Sequence, residues 1–94
     1  MVTIKKGNNG EYEVSIKASV TAIDKQTGYM IKKEVGKITA NHRIININLK
    51  QIESIDKNGL SMLEQLVTHA EDKNCDISFS NYRPAISNTI QKLF

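Results

Sequence analysis

The chain has 94 residues, 39% hydrophobic and 24% charged, with no Trp and only three Tyr and two Phe. That leaves room for one compact domain with a mainly aliphatic core and too little for a second. The formal charge is +3, and the basic residues stand singly or in pairs. Even the densest group, Lys32-Lys33 with Lys37, is split by Glu34, so the clustered charge that tracks a nucleic-acid backbone is missing.

No apolar run approaches the ~18 residues of a membrane helix. The opening MVTIKKGNNG lacks the apolar stretch of a signal peptide. A cytoplasmic protein, or the cytoplasmic face of something larger, with no direct membrane insertion, is expected. The lone Cys75 has no internal disulfide partner and reads as a small buried residue.

Val2-Thr3-Ile4-Lys5-Lys6 is a short strand closed by the turn-forming Gly7-Asn8-Asn9-Gly10. In Glu11–Ala18, the residues Tyr12, Val14, Ile16 and Ala18 alternate with polar ones. That is the pattern of a half-buried strand, and the two strands are expected to form a hairpin. From Asp24 the period changes, with Tyr29, Ile31, Val35 and Ile38 spaced as on one side of a helix. A helix is predicted from about Lys25 to Ala40, with Asp24 capping its first turn and Asn41 and His42 ending it. Gly28 and Gly36 each weaken it by roughly 1 kcal/mol relative to Ala, so it depends on packing.

Ile44–Leu49 reads as a strand, Ile45, Ile47 and Leu49 on one face and Ile44, Asn46 and Asn48 on the other. Two asparagines on one face mean that this face is only partly apolar, or that its far end opens to solvent. Leu60, Leu63, Leu66, Val67 and Ala70 then trace the clearest helical stripe, with Lys73 and Asn74 suited to its C-terminus. Cys75–Phe79 alternates as a strand. In the loop Asn81-Tyr82-Arg83-Pro84, Pro84 fits the first position of a last helix, which Ala85, Ile86, Ile90, Leu93 and Phe94 make apolar on one side. The order ββαβαβα implies an α/β domain, a mixed sheet of about four strands packed by about three helices. No internal repeat is visible.

The sequence offers little to an enzyme. There is no glycine-rich phosphate loop between a strand and a helix, no Cys/His cluster for zinc and no serine set on a nucleophile elbow. Neither a metal nor a cofactor is expected. His42 reads as a cap or solvent-facing residue and His69 as part of a polar helix face. Glu11/Glu13 and Glu71/Asp72 read as surface charges.

The remaining feature is the strand-loop-helix unit around SIDKNGLSMLEQL, residues 54–66. The stretch IININLKQIESIDKNGLSMLEQLVTHA resembles the central segment of STAS domains, the anti-sigma factor antagonist family. That segment runs as an apolar strand, a spacer, then Ile-Asp-Ser-Ser-Gly-Leu and a leucine-rich helix. The ending FSNYRPAISNTIQKLF resembles the family's last strand and helix.

The resemblance implies a non-enzymatic module that docks reversibly on an anti-sigma factor that is also a serine kinase. Phosphorylation of the second residue after the Asp then weakens the complex. Here that position holds Asn58 and the one before it Lys57, neither with a hydroxyl, and Asn48 stands where an Asp is common. The resemblance therefore implies a domain not switched by phosphorylation at this place. Ser61, about one helical turn further, reads as a polar-face residue or a relocated acceptor. Asn58 is expected to cap the helix from a backbone N–H near Ser61, with Gly59 fitting the tight turn into it.

By the same analogy the partner face comprises Asp56, Lys57, Asn58, Gly59 and Ser61, with the helix start at Asp24 and the loop Asn81-Tyr82. A second implied role is an accessory subunit of a membrane transporter, set beside its ATPase. A third, a small-ligand or nucleotide binder, has no phosphate loop to support it.

Overall fold

Residues 1–94 are described by a computed structural model. The chain runs β1 (Val2–Lys6), β2 (Tyr12–Ile16), β3 (Ala22–Ile23), α1 (Lys25–Gly36), β4 (Ile44–Asn48), β5 (Ser54–Ile55), α2 (Lys57–Asp72), β6 (Asp76–Ser80) and α3 (Pro84–Gln91). A four-stranded sheet has the order β1-β2-β4-β6. The first pair is antiparallel, and β2-β4 and β4-β6 are parallel. The α/β architecture, the mixed sheet and the three helices agree with the expected order.

The sheet has one apolar face. Register places Val14 beside Ile47, and Ile47 beside Phe79. Because side chains alternate along a strand, these residues share a face with Ile16, Ile45 and Ile77. All are buried and join one cluster with Ile31 and Val35 of α1, Leu63, Leu66, Val67 and Ala70 of α2, and Ile86 and Ile90 of α3. No polar or charged residue is buried in it.

The opposite face is polar and open, an uncommon arrangement for parallel strands, which usually carry helices on both sides. Asn46 explains how this face is kept orderly. Its amide donates to Glu13 Oε2 at 2.9 Å and Ser80 Oγ at 2.8 Å, and its carbonyl oxygen accepts from Ser78 Oγ at 3.1 Å. The asparagines of β4 thus stand on the open side of the sheet, where hydrogen bonds across three strands replace apolar cover.

Several boundaries differ from expectation. Strand β2 stops at Ile16 and α1 at Gly36, where the predicted helix ran to Ala40. After Gly36 the backbone turns, with Lys37 as cap and the Ile38 and Thr39 amides bonding back to the Val35 and Gly36 carbonyls. His42 takes a left-handed φ of 63° in the following turn, where it donates its N–H to Asn74 O at 3.0 Å. Tyr29 and Phe94, counted among the apolar faces, are 51% and 69% exposed. The buried stripe of α1 is instead Gly28, Ile31 and Val35, a spacing of three and four residues.

The main departure is a second ladder. Strands β3 and β5 pair in parallel, Ala22 beside Ser54 and Ile23 beside Ile55. Glu53 N–H donates to Thr21 O at 2.7 Å, and Asp56 N–H to Ile23 O at 3.1 Å. Two-residue strands carry too little alternation to be read from sequence. Their pairing also brings out a short echo, Ile23-Asp24-Lys25 against Ile55-Asp56-Lys57, which an inspection for longer repeats passes over.

This ladder requires a small residue where α2 begins. A Cβ on Gly59 would land on the Ile23 carbonyl, 2.8 Å from its carbon. A Cβ on Gly28 would lie 2.8 Å from Met62 Cβ and 3.1 Å from Gly59 O. The glycines that weaken α1 and α2 as isolated helices therefore let the helices approach each other and β3. Gly36, by contrast, faces open space.

Alanine substitutions are expected to separate these cases. Gly36→Ala should stabilise the fold by up to about 1 kcal/mol through helix propensity. Gly59→Ala should destabilise it by about 2 kcal/mol or more, because overpacking against backbone outweighs that gain, lowering Tm by roughly 8–16 °C in a domain of this size. Thermal unfolding followed by circular dichroism measures both.

Candidate functional site

The β3–β5 pairing sets two helix starts side by side. Each strand leads straight into an aspartate and then a lysine. Asp24 Oδ1 accepts the Thr27 N–H at 2.8 Å and Asp56 Oδ1 accepts the Gly59 N–H at 2.7 Å. Each side chain thus meets one of the four free N–H groups of its own helix. The carboxylates also stand at the positive ends of the two helix dipoles, where negative charge is stabilised.

The helix start of α2 corrects one expectation. Asp56, in extended conformation with φ −82° and ψ 174°, is the N-cap, while Asn58 is already the second helical residue. Asn58 is exposed, and its amide makes no hydrogen bond within the protein.

Between the two helix starts lies an open groove of about 510 Å³, lined by Asp24, Lys25, Gln26, Tyr29, Asp56 and Met62. Two carboxylates and a lysine rim an apolar floor made by the exposed Tyr29 ring and the half-buried Met62. An aromatic anchor within a charged rim suits protein docking. Its six residues include neither a nucleophile with a base nor a metal-ligand cluster.

The residues singled out from sequence do not form one surface. Asp24 and Asp56 line this groove, and Lys57 and Asn58, which follow Asp56 in the chain, are exposed but do not line it. Ser61 faces elsewhere, bordering the polar surface of α2 with Glu64, Gln65 and Thr68. Gly59 is buried against Ile23 and presents no surface to a partner, so its part is packing. Asn81 takes a left-handed φ of 58° just after β6, and Arg83, two residues further, donates its Nε–H to Lys50 O at 3.2 Å. Tyr82 lies in a different groove, beside β6 and α3.

Sequence reading missed Lys25, Gln26, Tyr29 and Met62. The signal that points to them is the echoed Ile-Asp-Lys, since two identical strand-to-helix turns suggest adjacent, equivalent positions. Tyr29 was assigned to the core by spacing alone.

The Asp24 carboxyl is held below its ordinary value of 3.8, chiefly by the hydrogen bond from the Thr27 backbone N–H, with the Thr27 hydroxyl next. A depressed folded-state value means that this cap stabilises the fold above the unfolded value of 3.8 and that the contribution is lost as pH falls through the folded value. Wild type and Asp24→Asn are therefore expected to differ in how steeply stability falls on acidification, the variant being flatter across that interval. Urea unfolding at a series of acidic pH values measures it. On α2, Asp56→Ala should cost about 1 kcal/mol and Asn58→Ala no more than about 0.5 kcal/mol. Equal losses at the two positions would return the cap to Asn58.

Comparison with curated proteins found no match. The sequence profile of the STAS domain matches residues 12–93, from the start of β2 to just past the end of α3. The chain therefore belongs to the STAS family, whose domains are in general binding modules and not enzymes.

Proposed function

We propose that this STAS domain regulates another protein by docking the paired helix starts of α1 and α2 against it, and that residue 58 does not carry a phosphate switch. The observation that carries the reading is Asn58, an exposed residue free of internal hydrogen bonds at the second position of α2. Its side chain is available to a partner and chemically closed to a kinase, since an amide offers no hydroxyl. The groove beside it supplies an apolar anchor at Tyr29 and Met62 and charges at Asp24, Lys25 and Asp56.

The partner that fits the family resemblance is an anti-sigma factor with serine kinase character. A phosphate there would add about −1.5 to −2 charges to a surface that already carries two carboxylates. Asn58 keeps that surface as it stands in the unphosphorylated state. The docked state is then set by the amounts and affinity of the two proteins and not by modification of residue 58. The same absence of a hydroxyl favours a second reading, an accessory subunit beside a transporter ATPase, because such a role needs no phosphate release.

Affinity capture of the tagged chain separates the two. Recovery of a serine kinase of the anti-sigma type supports the first, and recovery of a transporter ATPase without any such kinase sinks it. With the captured partner in hand, Asn58→Glu is expected to weaken binding by about tenfold or more, the equivalent of roughly 1.4 kcal/mol. If the partner is a kinase, Asn58→Ser should gain one phosphate by mass spectrometry while wild type gains none at residue 58. Phosphate on Ser61 of the wild-type chain would show that the switch had moved.

A further inference from the structure

A second surface, separate from the paired helix starts, lies along the outer edge of β6. Asp76 N–H donates to Arg43 O at 2.8 Å and Ser80 O accepts from Leu49 N–H at 3.0 Å. In a parallel ladder the residues whose backbone groups face one neighbour alternate along the strand. Asp76, Ser78 and Ser80 therefore point their N–H and C=O groups at β4. Those of Ile77 and Phe79 point outward, where the sheet order provides no further strand.

An open groove of about 380 Å³ runs beside this edge. It is lined by three consecutive strand residues, Ile77, Ser78 and Phe79, and by Tyr82, Ile90, Gln91 and Phe94, so that five of its seven residues are apolar or aromatic. Consecutive residues face opposite sides of a sheet, so a groove touching all three borders the strand's edge. The two sheet edges differ in how they discourage pairing. β1 ends in Lys5 and Lys6, charges of the kind that protect an edge, whereas β6 reads Asp-Ile-Ser-Phe-Ser, with one charge at its first residue and no Lys, Pro or bulge.

We propose that two copies of the chain pair antiparallel through β6, about a two-fold axis at Ser78, to form one continuous eight-stranded sheet. The phase of the free groups selects this register. With Ser78 opposite Ser78, Ile77 of each copy stands opposite Phe79 of the other, and directly opposed residues of this kind exchange both N–H···O=C bonds. All four outward groups of each copy are then satisfied by four hydrogen bonds.

Shifting the centre to Ile77 or Phe79 leaves one of these residues opposite Cys75 or Asn81, outside the strand. Charge agrees with the same register. Asp76, the only charge on the strand, falls opposite Ser80 of the second copy and not opposite another Asp76. On the helix side the Ile77 and Phe79 side chains of the two copies meet, so the two apolar grooves close against each other. On the open side the two Ser78 side chains face across the axis. Such an interface is isologous and closed, so it ends at a dimer.

Charge exchange at Ser78 tests the arrangement, because its side chain is on the open face and exposed. The wild-type chain is expected to sediment at twice its 10.6 kDa mass at high concentration. Ser78→Lys and Ser78→Glu should each be monomeric, because like charges then oppose each other across the axis. Both should keep the wild-type circular dichroism spectrum, and mixing them should restore the dimer mass. Amide hydrogen exchange at Ile77 and Phe79 should be at least about tenfold slower in the dimer than in either variant alone. A wild-type chain that stays monomeric at every concentration overturns the proposal and leaves the edge to an extended segment of another protein. So does a single variant that dimerises as wild type does, or a mixture that does not recover the dimer.

Discussion

The meeting of Gly59 with the Ile23 carbonyl is the contact on which the paired helix starts depend. The β3–β5 ladder has only two rungs, and on its own so short a pair is not stable in water. It persists because the chain on either side is held. Ile23 is fully buried in the common core, Asp56 N–H bonds to its carbonyl, and α2 lies against that same carbonyl without a side chain between. The ladder in turn fixes which helix positions face each other. Gly28 then meets Met62 and the Gly59 carbonyl, and Lys32 Nζ donates to Gln65 Oε1 at 2.7 Å further along the two helices. Paired caps, helix contact and groove all follow from one close approach of backbone to backbone.

Hydrophobic burial holds the remainder of the domain in the ordinary way, with one asymmetry. All three helices contribute to a single core on one side of the sheet, and the other side is left to a polar network around Asn46. An aliphatic residue there would expose apolar surface on strands that no helix covers. An asparagine with both its amide ends engaged ties β2, β4 and β6 together without that exposure. Since each such bond contributes only about 1 kcal/mol net, its main effect is on order across the strands and not on total stability.

What the sequence made legible follows the strength of each periodic signal. The stripe of α2 and the alternation in β4 and β6 are long enough to be unambiguous, and the spacing selects their buried residues except at the start of α2, where Gly59 is buried and Leu60 only half-buried. The end of α1 was misplaced because Ile38 continues the helical spacing by coincidence. It is half buried in the turn after the helix, where apolar character says nothing about period. Tyr29 failed for a related reason, since an aromatic two residues before Ile31 cannot share the latter's helical face. The β3–β5 ladder lay below the resolution of pattern reading altogether, and with it the reason why Asp24 and Asp56 are neighbours. Only the repeated Ile-Asp-Lys hinted at it.

The structural duties of the α2 start fall on residues other than Asn58, and this bears on how Asn58 is acceptable there. Asp56 provides the cap and Gly59 provides the fit to Ile23, so folding places almost no demand on the side chain between them. Residue 58 is exposed, in helical conformation and outside the capping bonds. Serine and asparagine have closely similar helix propensities, so exchanging one for the other leaves the fold as it was. What the exchange alters is the chemistry offered to a partner, a hydroxyl that can be esterified or an amide that cannot. A position so lightly constrained by stability can therefore exchange a hydroxyl for an amide without any compensating change elsewhere in the domain, while substitutions at Asp56 or Gly59 would disturb the paired helix starts themselves.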